Sequence, residues 1–357
     1  MGKKATFILV KLIFRVATII AAIFGGIGFF AKYITPQESW VITLIGIGLL
    51  PVLIVNFIIL IYWLIKRNSL AIAPLIAILL NICFITSMFQ VDFRKPTKTH
   101  IDLKVATYNI HGFAQQDFYF IMRGISNFMK EEKVDVVCFQ EFYENDRYTL
   151  DSLCRIFSDM PYFSAPAQTN GAELAIFSKY PIAEHSLVRF ANTENSSMWA
   201  DIVTHDDTVR IFNNHFQTTN INQSKREIAN FKTNVTNEVG KESFDIIMSR
   251  LYVNSCMRVS QVATIKNIID TTRHEVIVCG DFNDTPASYA YRQIAQILSD
   301  GFKSCGKGYA ATFNPFYKIL RLDYIFYSKG IEGIRYYSPS KNFSDHNPVL
   351  LEFAFRD

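Results

Sequence analysis

The first quarter of the chain is written in long apolar runs and the rest in short ones. Trp40 to Ile65 extends for 26 residues without a charge, and Ser69 to Val91 for 23. A helix needs about 20 apolar residues to cross a bilayer, so both runs are predicted to span. Leu12 to Phe30 is broken only by Arg15, which can snorkel to the interface together with Lys11. Its length, with no clear small-residue cleavage motif after it, favours a retained helix over a signal peptide. Residues 1–92 are expected to form a membrane module of about three helices, near 7–30, 40–65 and 69–91. A linker at 93–101 and a globular part at 102–357 follow.

From Lys104 the texture changes. Val105–Ile110, Val134–Gln140, Leu174–Phe177, Val209–Asn213, Val276–Cys279, Tyr324–Tyr327 and Val349–Phe355 read as strands. Phe118–Glu132 sets Ile121, Ile125, Phe128 and Met129 on one helical face, and Met257–Thr271 reads as a second helix. Strands and helices alternate without the strict rhythm of a doubly wound sheet. Residues 218–255 are polar and helix-compatible. They are expected to be a surface insertion, with a lid over a site as the sharper alternative.

Charge follows the same division. Only 19% of residues are charged, against about 25% in a typical soluble domain. The net charge of +4 divides into +6 over residues 1–90 and −2 over the remainder. The basic excess therefore flanks apolar runs and does not describe a nucleic-acid binder. Lys3 and Lys4 precede the first run, Lys66 and Arg67 separate the second from the third, and basic residues favour the cytoplasmic side. The expected topology is a multi-pass protein of the cell membrane, N-terminus inside, with everything after residue 91 outside the cytoplasm. Arg94, Lys95 and Lys98 oppose that assignment. Met1-Gly2-Lys3-Lys4-Ala5-Thr6 fits the short myristoylation pattern, a match common by chance and of little use to a spanning chain. Six cysteines show no zinc or redox spacing, and nothing selects a disulfide.

Polar residues recur at the strand ends. Asn109 closes the first strand, Gln140-Glu141 the second, Asn213-Asn214-His215 the fourth and Gly280-Asp281-Phe282-Asn283-Asp284 the fifth. Arg321-Leu322-Asp323 and Ser344-Asp345-His346-Asn347-Pro348 precede the last two. Singly, each is an ordinary turn. Together they are hard oxygen donors plus two histidines with no cysteine partner, which suits Mg²⁺ or Mn²⁺ rather than zinc. Carboxylates, a divalent ion, water and a histidine are what phosphodiester hydrolysis needs.

Five segments carry a family likeness. Thr107-Tyr108-Asn109-Ile110-His111-Gly112, Gln140-Glu141, Gly280-Asp281-Phe282-Asn283, Arg321-Leu322-Asp323-Tyr324-Ile325-Phe326 and Ser344-Asp345-His346 occur in this order. They resemble the motif series of the endonuclease/exonuclease/phosphatase superfamily, over about residues 102–357. The resemblance implies an α/β fold, a two-sheet α/β sandwich with its site at one rim, here preceded by about three transmembrane helices. By motif it implies Glu141 as the principal metal ligand, Asn109 supporting metal and phosphate, and Asp345 as a second contact to the metal region. Asp281 would orient or deprotonate the attacking water and Asn283 would hold a phosphoryl oxygen. His346 would contact the scissile phosphate, oriented by Asp323. His215 stands where sphingomyelinase-like and deoxyribonuclease-like members carry a second histidine, so one ring can activate water while the other protonates the departing oxygen. His111 departs from abasic-site endonucleases, which have an acid at that place. Glu173 is a candidate to orient His215, or equally a surface glutamate.

The expected activity is hydrolysis of a lipid head group or another extracytoplasmic phosphodiester, with the bilayer as the other partner. A surface nuclease is the first alternative, with Lys225, Arg226, Lys232, Lys241 and Arg250 as a local basic stripe. An inactive membrane scaffold is the second, and the intact acids and histidines weigh against it. Phe113, Phe118, Tyr119 and Phe120 cluster after the first motif; core packing is slightly favoured over contact with substrate or bilayer.

Overall fold

The computed structural model describes residues 3–91, 100–111, 118–143, 149–166, 174–205, 207–219 and 237–356. The chain divides into two compact units, Met1–Met88 with Thr285–Arg292, and Phe89–Asp284 with Gln293–Asp357.

The first unit is built inside out. Phe7, Phe57, Ile58 and Ile65 are exposed, while Thr18, Asn56 and Asn81 are buried. Asn56 Nδ2 donates to the carbonyls of Ala21 and Val52, both at 2.9 Å, and Asn81 Nδ2 to those of Gly25 and Ala77, both at 2.8 Å. Trp63 Nε1 donates to Thr18 Oγ1 at 2.9 Å. Small residues and buried amides between helices, with apolar side chains outward, are the arrangement that a hydrocarbon solvent would favour. Among the described residues one helix, Thr6–Lys32, is long and apolar enough to cross a membrane by itself. Trp40–Ile47 with Leu49–Ile65 is bent by 66°, and Ser69–Leu80 with Ile82–Met88 by 61°; each pair reaches that length only if counted as one span. The expected set of about three spanning helices is thus corrected to one clear candidate, Thr6–Lys32. The breaks fall at Gly48 and Asn81, whose ψ angles of 11° and 17° leave the helix. Apolar run length registers no such bend.

Among the described residues the second unit holds fourteen strands. They are β1 (Phe89–Gln90), β2 (Leu103–Asn109), β3 (Val136–Gln140), β4 (Tyr162–Ser164), β5 (Ala175–Ser178), β6 (Ile182–Arg189) and β7 (Ser196–Val203). There follow β8 (Thr208–His215), β9 (Glu275–Asp281), β10 (Ser299–Asp300), β11 (Gly308–Tyr309), β12 (Asp323–Tyr327), β13 (Ile331–Tyr337) and β14 (Val349–Phe355). Strands β1 and β11 form a ribbon; the others form two six-stranded sheets, ordered β10-β12-β9-β8-β7-β6 and β13-β14-β2-β3-β5-β4. The α/β sandwich implied by the motifs is present. Its interior takes alternate residues from both sheets, among them Val105, Cys138, Ile176, Met198, Ile211, Ile277, Ile325 and Leu351. Helix Phe118–Glu131 packs Met122, Ile125, Phe128 and Met129 with Ala106, Tyr108, Val137, Phe139 and Phe177 of the second sheet.

Each sheet has a parallel pair at its centre, β2 with β3 and β8 with β9. Parallel neighbours end on the same side, which brings Asn109, Gln140, His215 and Asp281 to one rim. Strand β12 starts at that rim, Asp323 opposite Asp281, and β14 starts there with Val349 opposite Thr107. Between the sheets, Gln140 Nε2 donates to Asn213 Oδ1 at 2.6 Å, and within its own sheet to Thr107 Oγ1 at 2.9 Å. Asn213 Nδ2 donates to the carbonyls of Phe139 at 2.9 Å and Ala175 at 3.1 Å.

The described part of the long polar stretch is helical, as its composition allowed. The helix predicted over Met257–Thr271 begins at Asn237 and runs 35 residues. It absorbs much of the supposed insertion, and residues 220–236 lie outside the described set.

Candidate active site

Three residues at the rim hold left-handed backbone without being glycine: His111 (φ 45°), Glu141 (φ 55°) and Asn283 (φ 50°). Such conformations cost energy and persist where neighbours enforce them. Here the enforcing bonds are visible. The His111 N–H donates to Asn109 Oδ1 at 3.1 Å, and the Asn283 N–H to Asp281 Oδ1 at 2.8 Å.

Glu141 follows β3 by one residue and is the best-connected acid. Its Oε1 accepts from Asn109 Nδ2 at 3.0 Å and its Oε2 faces His111 Nδ1 at 3.2 Å. His215 Nε2 lies 3.6 Å from Oε1. Burial alone would raise this carboxyl; the His111 hydrogen bond, the His215 charge and the Asn109 amide outweigh it and bring the pKa to about 2. Glu141 is therefore held as an anion.

Asp281, Asp323 and His346 form the opposite wall. His346 Nδ1 meets Asp323 Oδ2 at 2.9 Å, and its Nε2 lies 3.7 Å from Asp281 Oδ2. Asn109 Nδ2 also donates to Asp281 Oδ2, at 3.1 Å, so one amide ties both walls together. Burial pushes the Asp281 carboxyl well above its ordinary range; the His346 cation opposes this and the Asp323 charge adds to it. Burial would lower His346, but the Asp323 and Asp281 charges and the Asp323 bond raise it instead. His215 goes the other way: burial lowers it, against the pull of Glu141. Neither ring nitrogen of His215 has a hydrogen-bond partner among the described residues.

The sequence-designated residues thus converge. Asn109, Glu141, His215, Asp281, Asp323 and His346 form one network. Asp345 joins it through His111, 4.0 Å from Nδ1. Asn283 is adjacent, but its Nδ2 donates to the Phe216 carbonyl at 3.0 Å and so serves the rim's backbone. Glu173 lies outside the described residues. Sequence reasoning passed over three contributors. His111 stood inside a motif already noted. Ser344, whose Oγ donates to the Asn109 carbonyl at 2.8 Å, stood inside another. Thr312, whose Oγ1 accepts the N–H groups of Leu322 at 3.0 Å and Asp323 at 3.1 Å, left no signal at all.

The donor set fits a divalent cation. Four carboxylates, Glu141, Asp281, Asp323 and Asp345, gather at one rim, and Asp281 is raised first by its burial and further by the neighbouring Asp323 charge. Asp281, Asp323 and His346 have ligand atoms within 4.8 Å of one another, the spacing of a metal site. That trio comprises residues the motifs cast as catalytic, and its His346 Nδ1 is already engaged by Asp323. Glu141, Asn109 and Asp345 are the donors that leave this histidine–carboxylate pair intact.

A second layer fixes the rim. Arg258, fully buried on helix Asn237–Thr271, donates from Nε to Asp284 Oδ2 at 3.0 Å and from Nη1 to the Gln217 carbonyl at 2.8 Å. Its Nη2 reaches Ser255 Oγ at 2.8 Å, and nearby Gln261 Oε1 accepts the Gln217 N–H, also at 2.8 Å. One helix thereby grips both the loop after His215 and the turn after Asp281. Arg258→Lys keeps the charge but loses the fork; activity on a soluble phosphodiester should fall about tenfold in kcat with KM little changed. Arg258→Met should also lose about 3–5 kcal/mol of stability in a thermal melt, because Asp284 stays buried without its cation. Unchanged kcat in Arg258→Lys would show that the helix does not position the rim.

A model of the endonuclease/exonuclease/phosphatase family matches residues 106–346, and a model of a domain of unknown function matches residues 11–88. A search of the curated proteins finds no match. Among solved structures, an endonuclease/exonuclease/phosphatase family protein from Bacteroides thetaiotaomicron is 18% identical with a TM-score of 0.53, over 71% of this chain and 98% of that one. The human nocturnin catalytic domain with bound sulfate anion is 18% identical with a TM-score of 0.51, over 74% and 96%. D. rerio TDP2 complexed with a single-strand DNA product is 15% identical with a TM-score of 0.51, over 71% and 98%. At such identities these structures share the fold. With the family model covering well over half its length and the motif residues meeting at one rim, this chain belongs to the endonuclease/exonuclease/phosphatase family.

Proposed function

We propose that this chain is a membrane-anchored, divalent-metal-dependent phosphodiester hydrolase acting on a lipid head group or another extracytoplasmic phosphodiester. The observation that carries the reading is the pairing of His346 with Asp323 at 2.9 Å, facing Asp281 and, through Asn109, the anionic Glu141. Glu141, Asn109 and Asp345 would hold Mg²⁺ or Mn²⁺, which when bound neutralises charge on the phosphoryl oxygens. Asp281 orients the attacking water. His346, steadied by the Asp323 carboxylate, hydrogen-bonds the scissile phosphate, and Asn283 borders the same space. His215 lies beside Glu141, so the two rings can divide proton donation and acceptance.

The anchor is read from helix Thr6–Lys32 together with the two bent pairs, each taken as one span. Three crossings with Lys3, Lys4, Lys66 and Arg67 inside put the catalytic unit outside the cytoplasm. The alternative, a surface nuclease, draws support from the DNA product bound in the TDP2 structure. Assaying the full chain on bis-p-nitrophenyl phosphate, sphingomyelin and plasmid DNA with Mg²⁺ or Mn²⁺ separates the readings.

Glu141→Gln keeps shape and removes the charge. It should weaken Mn²⁺ binding in calorimetry and cut activity about 100-fold or more with the fold intact. Full activity in this variant, or in EDTA, would end the metal-dependent reading.

For the histidines, loss of the proton donor is tolerated when the leaving group needs no proton. One of His215→Ala and His346→Ala should retain far more activity on a p-nitrophenyl diester than on an alkyl diester, and the other should lose both. Asp323→Asn should resemble His346→Ala in milder form. Equal losses on both substrates would mean that neither ring is the donor.

For topology, a reporter that works only outside the cytoplasm should be active when fused after Asp357. One that needs the cytoplasm should be active at Asn68. The reverse pattern would mean an even number of crossings.

A further inference from the structure

The aromatic cluster after the first motif is not all core. On helix Phe118–Glu131, Met122, Ile125, Phe128 and Met129 are buried, but Tyr119 is 41% and Phe120 76% exposed. Phe113 and the Phe118 side chain lie outside the described set. The expected core packing therefore fails for Tyr119 and Phe120. This helix contacts the segment 340–346 that carries Asp345 and His346. Lys341 Nζ lies 4.2 Å from the Phe128 ring centroid, and a Cβ on Gly124 would come within 2.7 Å of the Phe343 ring.

A second element contacts the same segment. Residues 313–320 form an excursion closed by bridges from Phe313 to Leu320 and to His346. The Asn314 N–H donates to the Asp345 carbonyl at 2.8 Å, and the Phe313 ring lies 4.8 Å from that of His346. In this excursion Tyr317 is 98% exposed. Tyr317 and Lys318 both have left-handed backbone, at φ 59° and 56°. Two consecutive bulky residues in that region are strained, and a side chain so exposed gains no packing in return.

We propose that Tyr317, with Phe120 and Tyr119, forms a docking surface that holds the catalytic rim at a lipid–water boundary. The proposal rests on the lipid head-group reading above and names how that substrate is presented. Three observations favour lipid over nucleic acid as the occupant. The same chain carries a 27-residue apolar helix able to cross a bilayer, so every copy has a membrane within reach of its tether. Each aromatic group has a cation beside it, Lys318 next to Tyr317 and Arg123 5.9 Å from the Tyr119 ring, the composition of an interfacial belt. Residues 91–357 carry a net −2, which offers no general attraction for a polyanion.

The test uses the full chain in detergent micelles containing sphingomyelin or phosphatidylcholine, with bis-p-nitrophenyl phosphate as a soluble control. Tyr317→Ala combined with Phe120→Ser should raise the KM for micellar phospholipid, expressed as surface fraction, about tenfold with kcat unchanged. Hydrolysis of the soluble diester should stay within about twofold, and Tyr317→Trp should keep wild-type KM, since tryptophan also prefers the interface. Equal losses on both substrates, no loss on micelles, or a loss confined to plasmid DNA would each overturn the docking surface. Wild-type protein that cleaves the soluble diester but no phospholipid would overturn the lipid reading, and the docking surface with it.

Discussion

The hydrogen bond of 2.6 Å from Gln140 to Asn213 joins the two sheets at the point where both must be in register. Both amides are fully buried, and Asn213 also satisfies the carbonyls of Phe139 and Ala175 across the gap. Buried amides are costly unless paired, so this bridge tolerates neither sliding nor separation of the sheets. A one-residue slip would turn Gln140 outward and carry Glu141 with it. Glu141 follows Gln140 by one position and His215 follows Asn213 by two. The geometry of the site is inherited from a contact that takes no part in its chemistry.

Around that frame the rim is an exercise in charge placement. Anionic Glu141 sits among three hydrogen-bonding or cationic neighbours, His111, His215 and Asn109. Asp281 sits in a more punishing place, desolvated and beside Asp323, with one histidine to offset both. Carboxylates in unlike surroundings have unlike proton affinities, the usual basis for giving one a structural and another a proton-handling role. Asn109 donates to both and bridges them.

Much of this was legible because the chemistry sits at strand ends, where a run of apolar residues breaks into acids, amides and histidines. Strands buried on both faces, such as Leu103–Asn109 and Val349–Phe355, announced themselves. The half-exposed edge strand Ile182–Arg189 did not, nor did two-residue strands. Bends at Gly48 and Asn81 were hidden because run length counts residues rather than directions. Arg258 and Thr312 act on residues ten or more positions away, and local pattern holds no trace of such partners. Tyr119 and Phe120 were misjudged because a cluster of aromatic residues usually packs into a core, whereas consecutive helical positions point to different sides.

Strand β14 lies between β13 and β2, inside its sheet rather than at an edge. It also follows every other described strand in the chain, and Asp345 and His346 shortly precede it. Until it is inserted, β2 lacks one neighbour and the rim lacks one wall. A nascent chain still emerging from the ribosome therefore lacks Asp345 and His346 at the rim. Completion of the rim is therefore a late event of synthesis, after the apolar N-terminal helices have already been made.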